Sequence, residues 1–223
     1  MLKFAIRTMA VFVLLLLASV NHAEAQGVSA YFGVGSATDG PGTSSTCPAK
    51  QILDFTTFSA GVCEPAPNIG GAFGLLGADF MITPHLGVNA EYSFRFAQAS
   101  FLPVAGLNVR PGFYDFNAVY QPSTGTNRVV PVLEAGIGGA KLSFYSNSQS
   151  CVSLGTCLNT SQALFTSSHF QLHGAVGVKI YVKSDMFIKP QIDLHWAPHL
   201  NQQYSSDFVP QYTLSVGYTF GRH

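Results

Sequence analysis

Val88-Asn89-Ala90-Glu91-Tyr92-Ser93-Phe94-Arg95-Phe96 alternates at every step. Val88, Ala90, Tyr92, Phe94 and Phe96 fall on one face, and Asn89, Glu91, Ser93 and Arg95 on the other. A period of two is the signature of a β-strand. It leaves the sense of the strand open. In a soluble sandwich or a lipocalin-like barrel the apolar face is the core. In a membrane barrel the apolar face meets lipid and the polar face lines the lumen.

Seven further segments share the pattern. Val28, Ala30, Phe32 and Val34 mark the first strand, and Leu76, Ala78 and Phe80 the second, opposite Asp79. Tyr114, Phe116, Ala118 and Tyr120 mark the fourth, opposite Asp115 and Asn117, and Leu133, Ala135 and Ile137 the fifth, opposite Glu134. Phe170, Leu172, Val176, Val178 and Ile180 mark the sixth, opposite His169, Gln171, His173 and Lys179. Ile188, Ile192, Leu194 and Trp196 mark the seventh, opposite Lys189, Gln191, Asp193 and His195. Tyr212 to Phe220 is the eighth. Each can reach the ~9–11 residues that cross a bilayer as a tilted strand. Connections alternate short (Thr83-Pro84-His85, Ser123 to Arg128, Lys183-Ser184-Asp185) and long (38–68, 98–110, 146–168, 198–207). That asymmetry belongs to outer-membrane barrels, with short periplasmic turns and longer outside loops. The expected fold is all-β, an eight-stranded antiparallel up-and-down transmembrane β-barrel.

The first 25 residues read as an address. Lys3 and Arg7 precede the apolar run Met9 to Val20, and Ala23-Glu24-Ala25 fits a small-residue cleavage site. The run is shorter than the ~20 residues of a spanning helix. The expected domains are a cleaved signal peptide, 1–25, and an outer-membrane barrel, 26–223, located in the bacterial outer membrane. No later apolar run is long enough for a membrane helix. The formal net charge is zero, from 11 basic and 11 acidic residues, so nucleic acid is not an expected partner. Cys47 with Cys63 and Cys151 with Cys157 are expected to form loop disulfides in an exported chain. Their spacing does not suit a zinc site.

The expected lumen network is Asp79, Glu91, Arg95, Asp115, Glu134, His173, Lys179, Lys189, Asp193 and His195. Both signs are present, so these residues can pair in an interior just wide enough for side chains. The structural reading is a polar plug, and the competing reading is an ion path. His169 and His173 share a face but lie ~13 Å apart at ~3.3 Å per residue, so they cannot share an ion without help from another strand. No metal, cofactor or catalytic residue is expected. A hydrolase needs Ser, His and an acid in reach near the outer rim. His195 with Ser167 or Ser168 makes no convincing set. Gly136-Ile137-Gly138-Gly139 lies within a strand and is no phosphate loop. Two points stay open. Pro131, Pro190 and Pro210 fall in or near strands, where proline removes a ladder hydrogen bond. Lys141 points outward if the fifth strand is unbroken, whereas a bulge at Gly138-Gly139 would reset its phase.

The stretch from Gly74 to Tyr92, with Thr83-Pro84-His85 at its turn, resembles the second hairpin of small outer-membrane barrels. Tyr212-Thr213-Leu214-Ser215-Val216-Gly217-Tyr218-Thr219-Phe220 resembles their closing strand. The family includes the outer-membrane-protein-A-like transmembrane domain and the opacity-type surface proteins. Members often finish on a terminal aromatic, whereas Gly221, Arg222 and His223 follow Phe220 here. No peptidoglycan-binding module is expected after the last strand. The resemblance implies the architecture; a monomeric, non-enzymatic barrel with a structural or adhesin-like role carried by its loops is the expected function. Its partners would be outer-membrane lipid and lipopolysaccharide, and an extracellular protein or surface ligand met by the loops. The alternatives are a narrow passive pore for ions or small solutes and a lipid-A-modifying enzyme.

Overall fold

The computed structural model describes residues 27–38, 51–54, 62–65, 69–102, 107–123, 127–152, 156–202, 204 and 206–221. The expected leader, with Ala23 and Ala25, and Cys47 lie outside those residues. Eight long strands follow in order: β1 (Val28–Ala37), β2 (Gly71–Met81), β3 (Leu86–Arg95), β4 (Leu107–Tyr120), β5 (Val129–Val152), β6 (Thr156–Lys183), β7 (Met186–Trp196) and β8 (Phe208–Phe220). Each pairs antiparallel with its chain neighbours, and β1 pairs β8 from Val28↔Phe220 to Ala37↔Gln211, so the sheet closes. Closure removes the open edges that a sheet cannot expose to lipid. A small hairpin, Gln51–Asp54 with Val62–Pro65, lies between β1 and β2. Ala99–Leu102 extends the sheet beside the start of β4.

The barrel has a turn end and a loop end. At the turn end, Thr83 Oγ1 accepts from the amide nitrogen of Leu86 at 2.9 Å, and the His85 ring meets the Gln121 carbonyl at 2.8 Å. The first closes the turn between β2 and β3, and the second ties it to the turn after β4. At the loop end the expected loop 146–168 is instead a continuation of β5 and β6, which reach 24 and 28 residues. The ladder runs on through Ser146↔Gln162 and Asn147↔Ser161 to Cys151↔Cys157. The stretch reads as a loop because Ser, Thr, Asn and Gln fall on both faces and its few apolar residues do not alternate. Backbone pairing needs no alternation.

The fifth strand keeps one phase through Gly138 and Gly139, which pair in order with Asp115 and Tyr114 on β4 and with Gln171 and Phe170 on β6. The irregularity expected there falls later, at Phe144/Tyr145. Lys141 is therefore on the outer face and exposed. Pro131 and Pro190 also face outward within their strands.

The sense of the wall is that of a membrane protein. Phe32 and Phe116 are each 63% exposed, while Lys179 and Lys189 are 1% and 0% exposed. Large apolar side chains stand exposed on every strand, forming the belt that lipid covers. The inner wall is not uniformly polar, however. Phe73, Val109, Phe113, Leu142, Phe144 and Val209 form a buried apolar lid at the loop end, with Leu200 and Tyr204 folded over it. Val130, Tyr181 and Phe187, with Met81, Val119 and Val132, close the turn end. The polar lumen is the layer between these lids.

Candidate functional site

The inward phase of all eight strands delivers the polar layer, and Tyr31 on β1 stands at its centre. Its ladder partners are Gly77 on β2 and Gly217 on β8. A Cβ at Gly77 would overlap the Tyr31 ring, and one at Gly217 would lie 2.7 Å from the Tyr31 Cβ. Glycine on both sides lets the ring lie against the wall and send its hydroxyl into the lumen. That hydroxyl donates to Glu91 Oε1 at 2.5 Å and accepts from Asn89 Nδ2 at 2.6 Å.

Lys189 on β7 binds Glu134 Oε1 at 2.7 Å and Glu91 Oε1 at 3.3 Å. Its ammonium also sits 4.3 Å from the centre of the Tyr31 ring. Nearer the turn end, Lys179 Nζ is 2.7 Å from Asp79 Oδ2 and donates to Ser29 Oγ at 3.1 Å. Asn89 Nδ2 donates to Asp79 Oδ1 at 2.6 Å and so joins the two ion clusters. Buried ions of this kind hold only when their remaining donors and acceptors are met.

A third cluster lies toward the loop end. His173 on β6 and His195 on β7 are ladder partners, with stacked rings 4.8 Å apart. His173 Nδ1 meets Asn117 Oδ1 at 2.8 Å, and its Nε2 lies 3.4 Å from Asp193 Oδ1. His195 Nδ1 lies 3.6 Å from Asp115 Oδ2, and Gln171 Nε2 donates to Asp115 Oδ1 at 2.6 Å. Gln191 donates to Glu91 Oε1 and Oε2 at 3.1 and 3.2 Å and also to Asp193. The ring of Phe113, part of the loop-end lid, stacks on His195 at 4.4 Å.

Of the ten residues singled out from the sequence, nine are fully buried in this layer. Arg95 is half-buried near the loop end, where a Cβ at Gly71 would meet its guanidinium at 2.7 Å. Arg95 does not enter the ion clusters; its carbonyl accepts from Arg110 Nε at 2.7 Å. The neutral linkers Tyr31, Asn89, Asn117, Gln171 and Gln191 were not among the ten. Their signal was present: each occupies the inward phase two residues from another polar lumen position or opposite glycine. Ser167 Oγ lies 3.1 Å from His169 Nε2 on β6, whereas His195 is engaged by Gln171 and Asp115. Cys151 and Cys157 are ladder partners at the tip of the β5–β6 hairpin, and Cys63 is opposite Leu53 in the small hairpin. The cysteine side chains, and with them the expected pairings, lie outside the described residues.

No family model and no curated protein matches the sequence. Solved structures do. Neisserial surface protein A is similar with a TM-score of 0.52 at 14% identity, over 89% of this chain and 98% of that one. A major outer membrane protein from Thermus thermophilus gives 0.50 at 12% identity, over 89% and 100%. Ail, the attachment invasion locus protein of Yersinia pestis, solved with the heparin analogue sucrose octasulfate, gives 0.48 at 14% identity, over 88% and 99%. At these identities the likeness is one of fold. The lipid belt and the buried charges point the same way: the chain is an integral bacterial outer-membrane protein with the fold of the small eight-stranded surface barrels.

Proposed function

We propose that this barrel is a sealed, monomeric, non-enzymatic scaffold that presents the β5–β6 ribbon outside the cell for adhesin-like surface interaction. The observation that carries the reading is the contrast between a lumen whose described residues stack as a polar, ion-paired layer between two apolar lids and two strands that outrun their neighbours. β4 pairs with β5 only as far as Ser146, so six residues of β5 (152 − 146) continue beyond it. β7 pairs with β6 only from Leu172, so sixteen residues of β6 (171 − 155) lie beyond it, and all of them but Leu164, at the irregularity, have β5 as their ladder partner alone. At ~3.3 Å per residue, the six free of β4 add ~20 Å. An ordered arm of this kind has no use in sealing a membrane. Loops and projections on rigid scaffolds often carry recognition.

The chemistry of the arm narrows its partner. From Leu142 to Ser168 there is no Asp, Glu, Lys, Arg or His; Ser, Thr, Asn and Gln dominate. Such a surface binds through hydroxyl and amide hydrogen bonds, as many paratopes do. A neutral glycan or the polar surface of a protein fits it better than a polyanion. Cys151 and Cys157 face each other across the tip, and ladder partners ~4.5–5.5 Å apart fall within disulfide reach. A bridge there would fix the tip. On the outer wall, Arg110 and Lys141 flank Tyr92 and Tyr145 near the loop end, where lipopolysaccharide phosphates lie.

The test is a barrel with residues 147–160 replaced by a short turn, compared with the intact chain on whole bacteria. The trimmed barrel is expected to fold and insert, and to lose attachment to glycan- or protein-coated surfaces. Attachment of the intact chain should change little with salt. Equal attachment by both chains refutes the reading, and reproducible single-channel steps in planar bilayers replace it with the pore.

A further inference from the structure

The polar layer carries more negative charge than its lysines can neutralise. Its buried carboxylates are Asp79, Glu91, Asp115, Glu134 and Asp193, and its buried ammonium groups are Lys179 and Lys189, leaving 5 − 2 = 3 negative charges among the described residues. Lys179 takes Asp79, and Lys189 takes Glu91 and Glu134. Among the described residues, Asp115 and Asp193 have only histidines as ionic partners. In a water-poor interior that deficit is costly.

The histidines offer lone pairs there. The bond from His173 Nδ1 to the Asn117 carbonyl oxygen places a hydrogen on Nδ1, so in the neutral ring Nε2 turns a lone pair toward Asp193 at 3.4 Å. Gln171 Nε2 donates to His195 Nδ1 at 3.2 Å, so this nitrogen too is an acceptor, 3.6 Å from Asp115 Oδ2. With both rings neutral, an acceptor faces an acceptor in each place. Nε2 of His173 and Nε2 of His195 are buried and have no hydrogen-bond partner. One donor atom each from Asp115, His173 and His195 lie within 4.8 Å of one another, and so do those of Glu91, His173 and Asp193. Ligands of a tetrahedral ion at 2.0–2.1 Å stand ~3.4 Å apart, inside that 4.8 Å limit.

We propose that His173, His195 and Asp115 bind one divalent transition-metal ion of the zinc class inside the barrel, with Asp193 as the adjoining carboxylate. Two imidazoles with carboxylates suit zinc, cobalt or nickel and do not suit calcium or magnesium, which take oxygen ligands. The outer partners of such a site are in place. Asn117 orients the His173 ring, and Gln171 holds Asp115. The ligands come from β4, β6 and β7, so the ion would join three strands across the lumen. Phe113 covers His195, so the ion enters as the barrel assembles and leaves slowly afterwards.

The experiment folds the mature chain from urea into detergent with cobalt(II) or zinc(II), desalts it, and counts bound metal by mass spectrometry. One ion per folded barrel is expected, resistant to EDTA after folding, with the ligand-field bands of tetrahedral cobalt. His173→Asn with His195→Gln should lower retained metal by at least about tenfold. Folding of each variant is read from heat-modifiable gel migration. Should the double variant not fold, nitrogen NMR of wild-type histidines decides, with two imidazoles shifting on zinc loading and the others unchanged. Folded wild type that emerges without metal overturns the proposal, as does equal retention by the variant or a zinc response spread over exposed histidines.

Discussion

From loop end to turn end, the inner face of β4 changes chemistry twice. Val109 and Phe113 are followed by Asp115 and Asn117, and these by Val119, all buried. The outer face carries Arg110 at the loop end and is then apolar, with Tyr114, Phe116 and Tyr120 exposed. Lipid constrains only the outer face, so the inner face is free to vary with depth. Its apolar ends exclude water, and the exclusion makes the ion pairs of the middle strong and their loss severe. The lids and the polar layer are one device. Neither has the same energetics without the other.

The largest effect is expected where the two zones differ most. Lys189→Met leaves Glu91 and Glu134 buried without their cation. Breaking a buried pair costs about 3–5 kcal/mol, read from urea unfolding in detergent or bilayers. Adding Glu134→Gln should recover part of that loss, since the neutral amide no longer needs a cation. A single-variant cost below about 1 kcal/mol, the range of surface pairs, would mean that water reaches the layer and that the lids do not seal it.

Phe113→Ala tests the lid from its own side. Removing a buried aromatic costs about 3 kcal/mol. Water admitted over His195 should also weaken the ion pairs beneath it. In a double-mutant cycle the cost of Lys189→Met is then expected to shrink by about 1 kcal/mol on the Phe113→Ala background. Strict additivity would separate the lid from the layer. A smaller loss, about 2 kcal/mol, is expected for Gly77→Ala, because the new methyl overlaps the Tyr31 ring. Adding Tyr31→Ala should remove that steric part while losing the central hydroxyl.

The strand count and the direction of each wall were legible because alternation in β3, β7 and β8 is nearly unbroken, and a charge in the inward phase can only face the lumen. The lids were not legible. At Val129-Val130-Pro131-Val132 both phases are apolar, and an apolar residue gives no sign of whether it faces lipid or lumen. The β5–β6 ribbon was missed for the opposite reason, since Ser, Thr, Asn and Gln fall on both its phases. The His173–His195 pair was visible only in part. Sequence spacing places His169 and His173 on one strand, but it does not set the cross-strand register that puts His195 beside His173. Lys141 was an ambiguity of phase, and the continuous pairing through Gly138 and Gly139 resolves it.

Lys141 also supplies the smallest and most discriminating expectation, because it is the outward counterpart of Lys189. It pairs with Gly112 near the loop end of the wall, where the long side chain can reach the interface. A lysine on a barrel's lipid face costs ~2–4 kcal/mol at mid-bilayer and ~0–1 kcal/mol near the interface. Lys141→Met should therefore shift unfolding in phosphocholine bilayers by less than about 1 kcal/mol, a small fraction of the Lys189→Met effect. In bilayers carrying lipopolysaccharide the same change should be destabilising, since a phosphate-facing cation is lost. Stabilisation by about 2 kcal/mol or more in phosphocholine would place Lys141 in the hydrocarbon and move the whole belt toward the loop end. Indifference in both bilayers would leave the interface placement intact and remove Lys141 from the lipopolysaccharide contact.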